Sequence, residues 1–113
     1  MPIDIVSVKV YNRTFREATL VNAVAATQDG EWVDIYGVHP LSLDISGITT
    51  ATLQVRISND LVKPADSSHE RQAGTDITTD GTATIDAPYR WLKIRISAWT
   101  SGTITVRMLG LGG

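Results

Sequence analysis

The sequence predicts an all-β protein, an antiparallel β-sandwich of jelly-roll-like type with about eight short strands. Three observations carry this. Ile, Val, Leu and Thr dominate the composition, and branched side chains suit a pleated, half-buried surface. Apolar and polar residues alternate with a period of two over long stretches, most strictly from Pro88 to Met108. Turn signals recur between the alternating runs, and no helical period is sustained anywhere.

Taken in order, Ile3 to Val10 reads as a first strand. Ile3 and Ile5 fall on one phase and Val6, Val8 and Val10 on the other, which implies a bulge or a strand covered on both faces. Tyr11 to Ala18 is polar around Tyr11 and Phe15 and is read as a loop or wide turn before a strand from Thr19 to Ala26. Residues 1–27 would thus supply an extended arm or the first strands. Gln28-Asp29-Gly30 is a turn signal, and Trp32 to Tyr36 forms a short strand ended by Gly37. Pro40, lacking an amide proton, is expected at the first residue or edge of a strand in which Leu41, Leu43 and Ile45 share one face. A turn at Ser46-Gly47 separates this from a run with Ala51, Leu53, Val55 and Ile57 on one face.

Asn59 to Asp76 is a long aperiodic loop, of the kind that is usually functional or mobile. Asp80-Gly81 is a hairpin signal before Ala83, Ile85 and Ala87. A closing hairpin follows, with Leu92, Ile94, Ile96 and Ala98 on one face of its first strand. It turns at Thr100-Ser101-Gly102 and resumes with Ile104, Val106 and Met108. Residues 110–113 read as a flexible tail. The similarity of SGITTATLQVRI to TSGTITVRML is read as shared strand-and-turn grammar rather than a repeat. Leu53, Val55, Ile57, Leu92, Ile94, Ile96, Ile104 and Val106 are the expected central core.

Composition bounds function. At 113 residues the chain reads as a single domain, large enough to bury roughly two-thirds of its unfolded surface. With 10 Lys and Arg against 12 Asp and Glu, it lacks the basic footprint of a nucleic-acid surface. No run is apolar enough for a membrane helix, and the alternating charges at the start do not suit a secretory leader. The chain is therefore expected to be made in a cytoplasm and not exported by that route. There is no cysteine, so neither disulfides nor thiolate chemistry enter.

Reactive constellations are weak. His39 and His69 do not have the spacing of zinc ligands. Ser67, Ser68, His69 and Glu70 are adjacent and cannot point at one another as a triad must. Asp76, Asp80 and Asp86 lack the calcium-loop pattern. No phosphate-binding glycine motif is present. No catalytic, cofactor-binding or metal-binding residue is therefore expected. The remaining feature is Trp91, Lys93, Arg95 and Trp99, which share the face opposite Leu92, Ile94 and Ile96. Either a second layer covers this face, from the N-terminal strand or the long loop, or it contacts another protein, since Trp and Arg are enriched in interface cores. Sugar stacking ranks below protein contact, because no Asn or Gln cluster accompanies the rings.

The order GEWVDIYGVHPLSLDISG, ATLQVRISND, APYRWLKIRISAWTSGTITVRML resembles small all-β structural proteins of tailed bacteriophages. The similar stretch runs from Gly30 to Met108 without the long loop. The resemblance implies a non-enzymatic virion protein without cofactors, foremost a capsid decoration protein on the lattice of the major capsid protein. A head-fibre or tail module binding host carbohydrate is the alternative. It further implies a homo-oligomer, a trimer favoured, with neither nucleic acid nor membrane as partner.

Overall fold

The structure, a computed structural model, describes residue 3, residues 5–10 and residues 13–112. These form an all-β, antiparallel sandwich with no helix among them. The eight strands are β1 (Val6–Val10), β2 (Arg13–Val24), β3 (Gln28–Asp29), β4 (Val33–Asp34), β5 (Val38–Ser58), β6 (Arg71–Gln72), β7 (Gly81–Ile85) and β8 (Trp91–Gly112). They belong to one sheet with the path β1-β2-β8-β5-β6, to which β3 and β4 add along β8 and β7 adds along β5.

How one sheet becomes a sandwich follows from strand length. A straight strand of 22 residues would extend about 70 Å at ~3.3 Å per residue. The longest dimension of the protein is 42 Å. Both β5 and β8 therefore bend back on themselves, and they do so together, remaining paired from Val38↔Gly112 to Ser58↔Trp91. Their register shifts between Ser46 and Thr50, where Ile48 faces Gly102. One layer holds β1, β2, β7 and the halves of β8 and β5 around Val106 and Leu43. The other holds β3, β4, β6 and the halves around Ile94 and Val55. A single core drawn from both layers lies between them.

The bend has a local chemical cause. Gly47 and Gly102 both adopt positive φ, and a Cβ at either would overlap backbone of the opposing strand: the Thr103 carbonyl oxygen for Gly47, the Gly47 carbonyl oxygen for Gly102. Only glycine allows the two chains to cross so closely. The amides that lose ladder partners here are recovered by Asp80, whose carboxylate accepts from the N–H of Gly47 (3.2 Å) and of Ile48 (2.8 Å). β2 kinks near the same level, with register shifts on both sides of Val21. Ala23 there takes φ 52° and its N–H donates to Thr105 Oγ1 at 3.2 Å.

Several expectations change in this light. Ser46-Gly47 and Thr100-Ser101-Gly102 are not turns, and the closing segment is not a hairpin: each glycine bends one continuous strand. The echoed Ser-Gly marks the bend of each long strand. Tyr11 and Asn12 lie outside the described residues. The rest of the expected loop, Arg13 to Ala18, is strand, paired with β1 on one side and β8 on the other. Its alternation is hidden because Glu17 and Thr19 face outward and little but Ala18, Leu20 and Val21 reaches the core. Gln28 and Asp29 pair with Ile96 and Arg95 instead of turning. Pro40 is the third residue of β5, within a register shift between Val38 and Leu41 that needs no ladder donor from it.

Residues 110–112 are no tail, since they pair with β2 and with β5. Glycines without side chains look slack in sequence, yet their backbone groups are held on both sides. Gly113 lies outside the described residues.

The eight expected core residues are all buried, joined by Val33, Ile35, Leu41, Leu43, Ile45 and Met108 among others. Truncating Ile94, 3% exposed, to Ala is expected to lower stability by about 2–5 kcal/mol, read as a shift of the urea midpoint at unchanged slope. Gly47→Ala is expected to destabilise well beyond Gly37→Ala. Both glycines have positive φ, but the added methyl at Gly37 meets nothing within 4 Å, leaving only the left-handed penalty of about 1–2 kcal/mol. Equal losses in the two variants would show that the close crossing does not set the bend.

Candidate functional site

The register of β5 and β8 creates an electrostatic problem. Arg56 lies opposite Lys93 and Gln54 opposite Arg95, so one sheet face presents three neighbouring cations. Like charges directly across a ladder repel. The structure resolves this with carboxylates from two other segments. Glu70, from the long loop, enters between them. Its Oε2 accepts from Arg56 Nε at 2.8 Å and Arg95 Nη2 at 2.9 Å, and its Oε1 meets Lys93 Nζ at 3.0 Å. Asp29, from β3, takes Lys93 Nζ at 2.9 Å and Arg95 Nε at 3.1 Å. The Trp32 ring covers the ammonium, with Lys93 Nζ 4.6 Å from its centroid.

Burial makes these pairs consequential. Glu70 is 5% and Lys93 6% exposed, and charges so far from water require compensation. Burial pushes the Glu70 carboxyl up, but hydrogen bonds from Lys93 and Arg56 and the charges of Lys93 and Arg95 outweigh it and hold it below the usual glutamate range. Asp29 shows the same balance, burial opposed by hydrogen bonds from Lys93 and Arg95, and is also lowered. Arg95 is raised, first by its hydrogen bond to Asp29.

Of the residues singled out from sequence, Trp91, Lys93 and Arg95 share the outer face of β8, whereas a register shift between Ile96 and Ala98 turns Trp99, opposite the buried Ala51, towards the core. The long loop covers much of that face, one of the two readings left open above. Lys93 is enclosed and Arg95 partly so. Trp91 and Trp99 are half-buried and donate their indole N–H groups to the Asp60 carbonyl (3.0 Å) and the Gly102 carbonyl (2.9 Å). Asp76 accepts from Gln54 (3.2 Å) and Gln72 (2.8 Å), which secures the far end of the loop. Glu70, Asp29 and Arg56 were not legible as site residues. The only available signal was the run of cations on one face, which implies a counter-ion without saying where in the chain it lies.

The other candidates scatter. His69 Nδ1 lies 2.8 Å from Asp60 Oδ1 at the surface, His39 is exposed, and Glu70 points into the ion cluster away from both. Ser68 donates its amide to Asp66 at 2.9 Å. Asp80 serves the bend and Asp76 the glutamines, so neither joins Asp86. Among the described residues no group of three or more His, Cys, Asp or Glu is placed to hold a metal. A shallow groove of about 510 Å³ crosses the outer face of the first layer, around Arg107 between Glu17, Asp44 and Leu109.

No protein-family model matches the chain, and no curated protein matches it. Among solved structures the fold is similar to the crystal structure of the SPBc2 prophage-derived protein YomS. The TM-score is 0.70 at 18% identity, covering 93% of this chain and 99% of that one. At that identity the likeness is one of fold. Drosophila melanogaster CENP-C bound to CAL1 aligns with a TM-score of 0.43 at 13% identity, covering 96% of this chain and 81% of that one, and carries no argument.

Removing Glu70 leaves three cations with only the partly exposed Asp29. Glu70→Ala is therefore expected to cost about 3–5 kcal/mol, measured by denaturant unfolding. Because Glu70 and Asp29 are lowered in the folded state, their contribution is fully present above the unfolded carboxylate range. It is lost as the pH falls through the depressed folded values. Parent stability should accordingly fall in acid below about pH 4, and Glu70→Gln should flatten that fall. An acid limb unchanged in the variant would remove the cluster as its origin.

Proposed function

We propose that this chain is a non-enzymatic structural protein of a bacteriophage virion, and within the virion a decoration protein that binds the lattice of the major capsid protein. The observation that carries the reading is the fold shared with a prophage-derived protein over nearly the whole of both chains. It agrees with the strand order that resembles small phage structural proteins. The architecture suits such a role physically. The long loop is fixed to the sheet by buried ion pairs and by the pairing of β6. The segment between β2 and β5 is fixed by the pairing of β3 and β4, so the surface offered to a lattice is already ordered. Binding then has little ordering entropy to overcome.

A decoration protein of this kind adds stability by binding only the assembled state. The proposed assembly is a homo-oligomer, with a trimer favoured, made in the host cytoplasm and carried on the virion. Purified protein is expected to sediment with undecorated capsids in saturable fashion and to show no signal on a glycan array. Glycan binding without capsid binding would replace the decoration role with host adhesion.

A further inference from the structure

Three large apolar side chains stand out of the surface at one end of the second layer. Leu61 is 84%, Val62 74% and Tyr36 74% exposed, far more than any core residue. They flank a single structural unit. Trp91 pairs with Asp34 on one side and Ser58 on the other. The preceding residue, Arg90, accepts at its carbonyl from Ile35 N–H (2.8 Å) and donates its own N–H to Asn59 Oδ1 (3.0 Å). Tyr36 thus follows one flanking segment and Leu61-Val62 the other, with Arg90 between.

The tip is presented on a fixed base. Asp60 is tied through its carbonyl to Trp91, Pro64 is buried, and Glu70 anchors the remainder of the loop in the ion cluster. Leu61 and Val62 therefore project from an ordered stem. The Arg90 guanidinium lies 5.0 Å from the Tyr36 ring centroid and 5.9 Å from that of Trp91. Its Nε is buried without a hydrogen-bond partner, and Arg90 joins none of the ion pairs among the described residues. The nearby carboxylates are engaged elsewhere: Asp34 accepts from Tyr36 N–H at 3.0 Å, and Asp60 faces His69. Lys63, the next cation along the loop, pairs with Glu31 at 3.7 Å.

We infer that Tyr36, Leu61, Val62 and Arg90 form a docking surface for a protein partner that presents a carboxylate set among apolar side chains. Tyr and Arg are the residue types that dominate interface hot spots, and a guanidinium pre-stacked on aromatic rings pairs with a carboxylate at low entropic cost. One unpaired cation among apolar groups suits neither a phosphate backbone, which calls for clustered cations, nor a sugar, which calls for several polar side chains. The partner's identity as a capsid protein rests on the function proposed above; the surface and its chemistry do not.

The test measures binding of the full-length protein to undecorated capsids, together with its solution mass. The variants are Leu61→Ser/Val62→Ser and Arg90→Gln, with Leu109→Ser in the groove of the other layer as a control. Leu61 and Val62 are largely exposed and Leu109 is about half exposed, so little change in melting is expected for the first variant and for the control. Both test variants should bind about tenfold more weakly or worse, equivalent to about 1.4 kcal/mol, while the control binds as the parent does. Parent-like binding by the loop double variant overturns the docking surface and leaves the virion role standing. A parent that does not bind capsids overturns the decoration role, and the capsid assignment with it. In that event a parent oligomer that the double variant converts to monomer shows the occupant to be a second copy of this chain, and an unchanged mass removes the surface altogether.

Discussion

The packing of like charge on one sheet face is the constraint on which the outer layer of this protein depends. Pairing β5 with β8 in the register that buries Leu53, Val55, Ile57, Leu92, Ile94 and Ile96 necessarily places Arg56, Lys93 and Arg95 together on the other side. The apolar core and the cationic face are two consequences of one period-two alignment. A carboxylate must then be delivered, and Glu70 arrives from a loop with no periodic structure of its own. The long loop is fixed to the sheet in large part by this electrostatic requirement, with strand pairing at β6 and Ile77 adding to it. Buried ion pairs are weak evidence for net stability against an apolar alternative, yet breaking one leaves an uncompensated charge. Here the cluster fixes where the loop lies.

The second organising element is the shared bend of β5 and β8. Two separate sheets would have to find one another through side-chain packing alone, whereas these layers are joined by backbone ladders through the fold. Gly47, Gly102 and Asp80 act together: two absent side chains admit the close crossing, and one carboxylate takes the amides the crossing leaves unpaired. β2 follows the same curvature, with its own register shifts opposite Val106 and Ile104. A β-bulge that redirects a strand without ending it is a recurrent way to close a sheet on itself.

These two devices account for how the surface is distributed. The cations of the sheet face are spent internally, and the indoles of Trp91 and Trp99 are directed into backbone carbonyls. Among the large apolar side chains left most exposed are Tyr36, Leu61 and Val62, with the Arg90 guanidinium over the Tyr36 ring. The likeness to a prophage-derived protein is one of fold, over nearly the whole of both chains.

The sequence by itself determined the strand class, the faces of β8 as far as Ile96 and the identity of the central core. Each of these is a local property: a period of two in a run of neighbours says which side chains share a side until a bulge intervenes. One does so at Ser97, beyond which Ala98 is exposed and Trp99 packs against the core. Only the tertiary structure decided whether Gly47 and Gly102 end a strand or bend it, because a glycine in an alternating run permits both and the choice lies with the strand opposite. The same holds for residues 110–112, which are ordered by partners far away in the chain. It also decided that Glu70, one charged residue in an irregular loop, is the ion that Arg56, Lys93 and Arg95 require. A counter-ion is selected by proximity in space, which no spacing along the chain records.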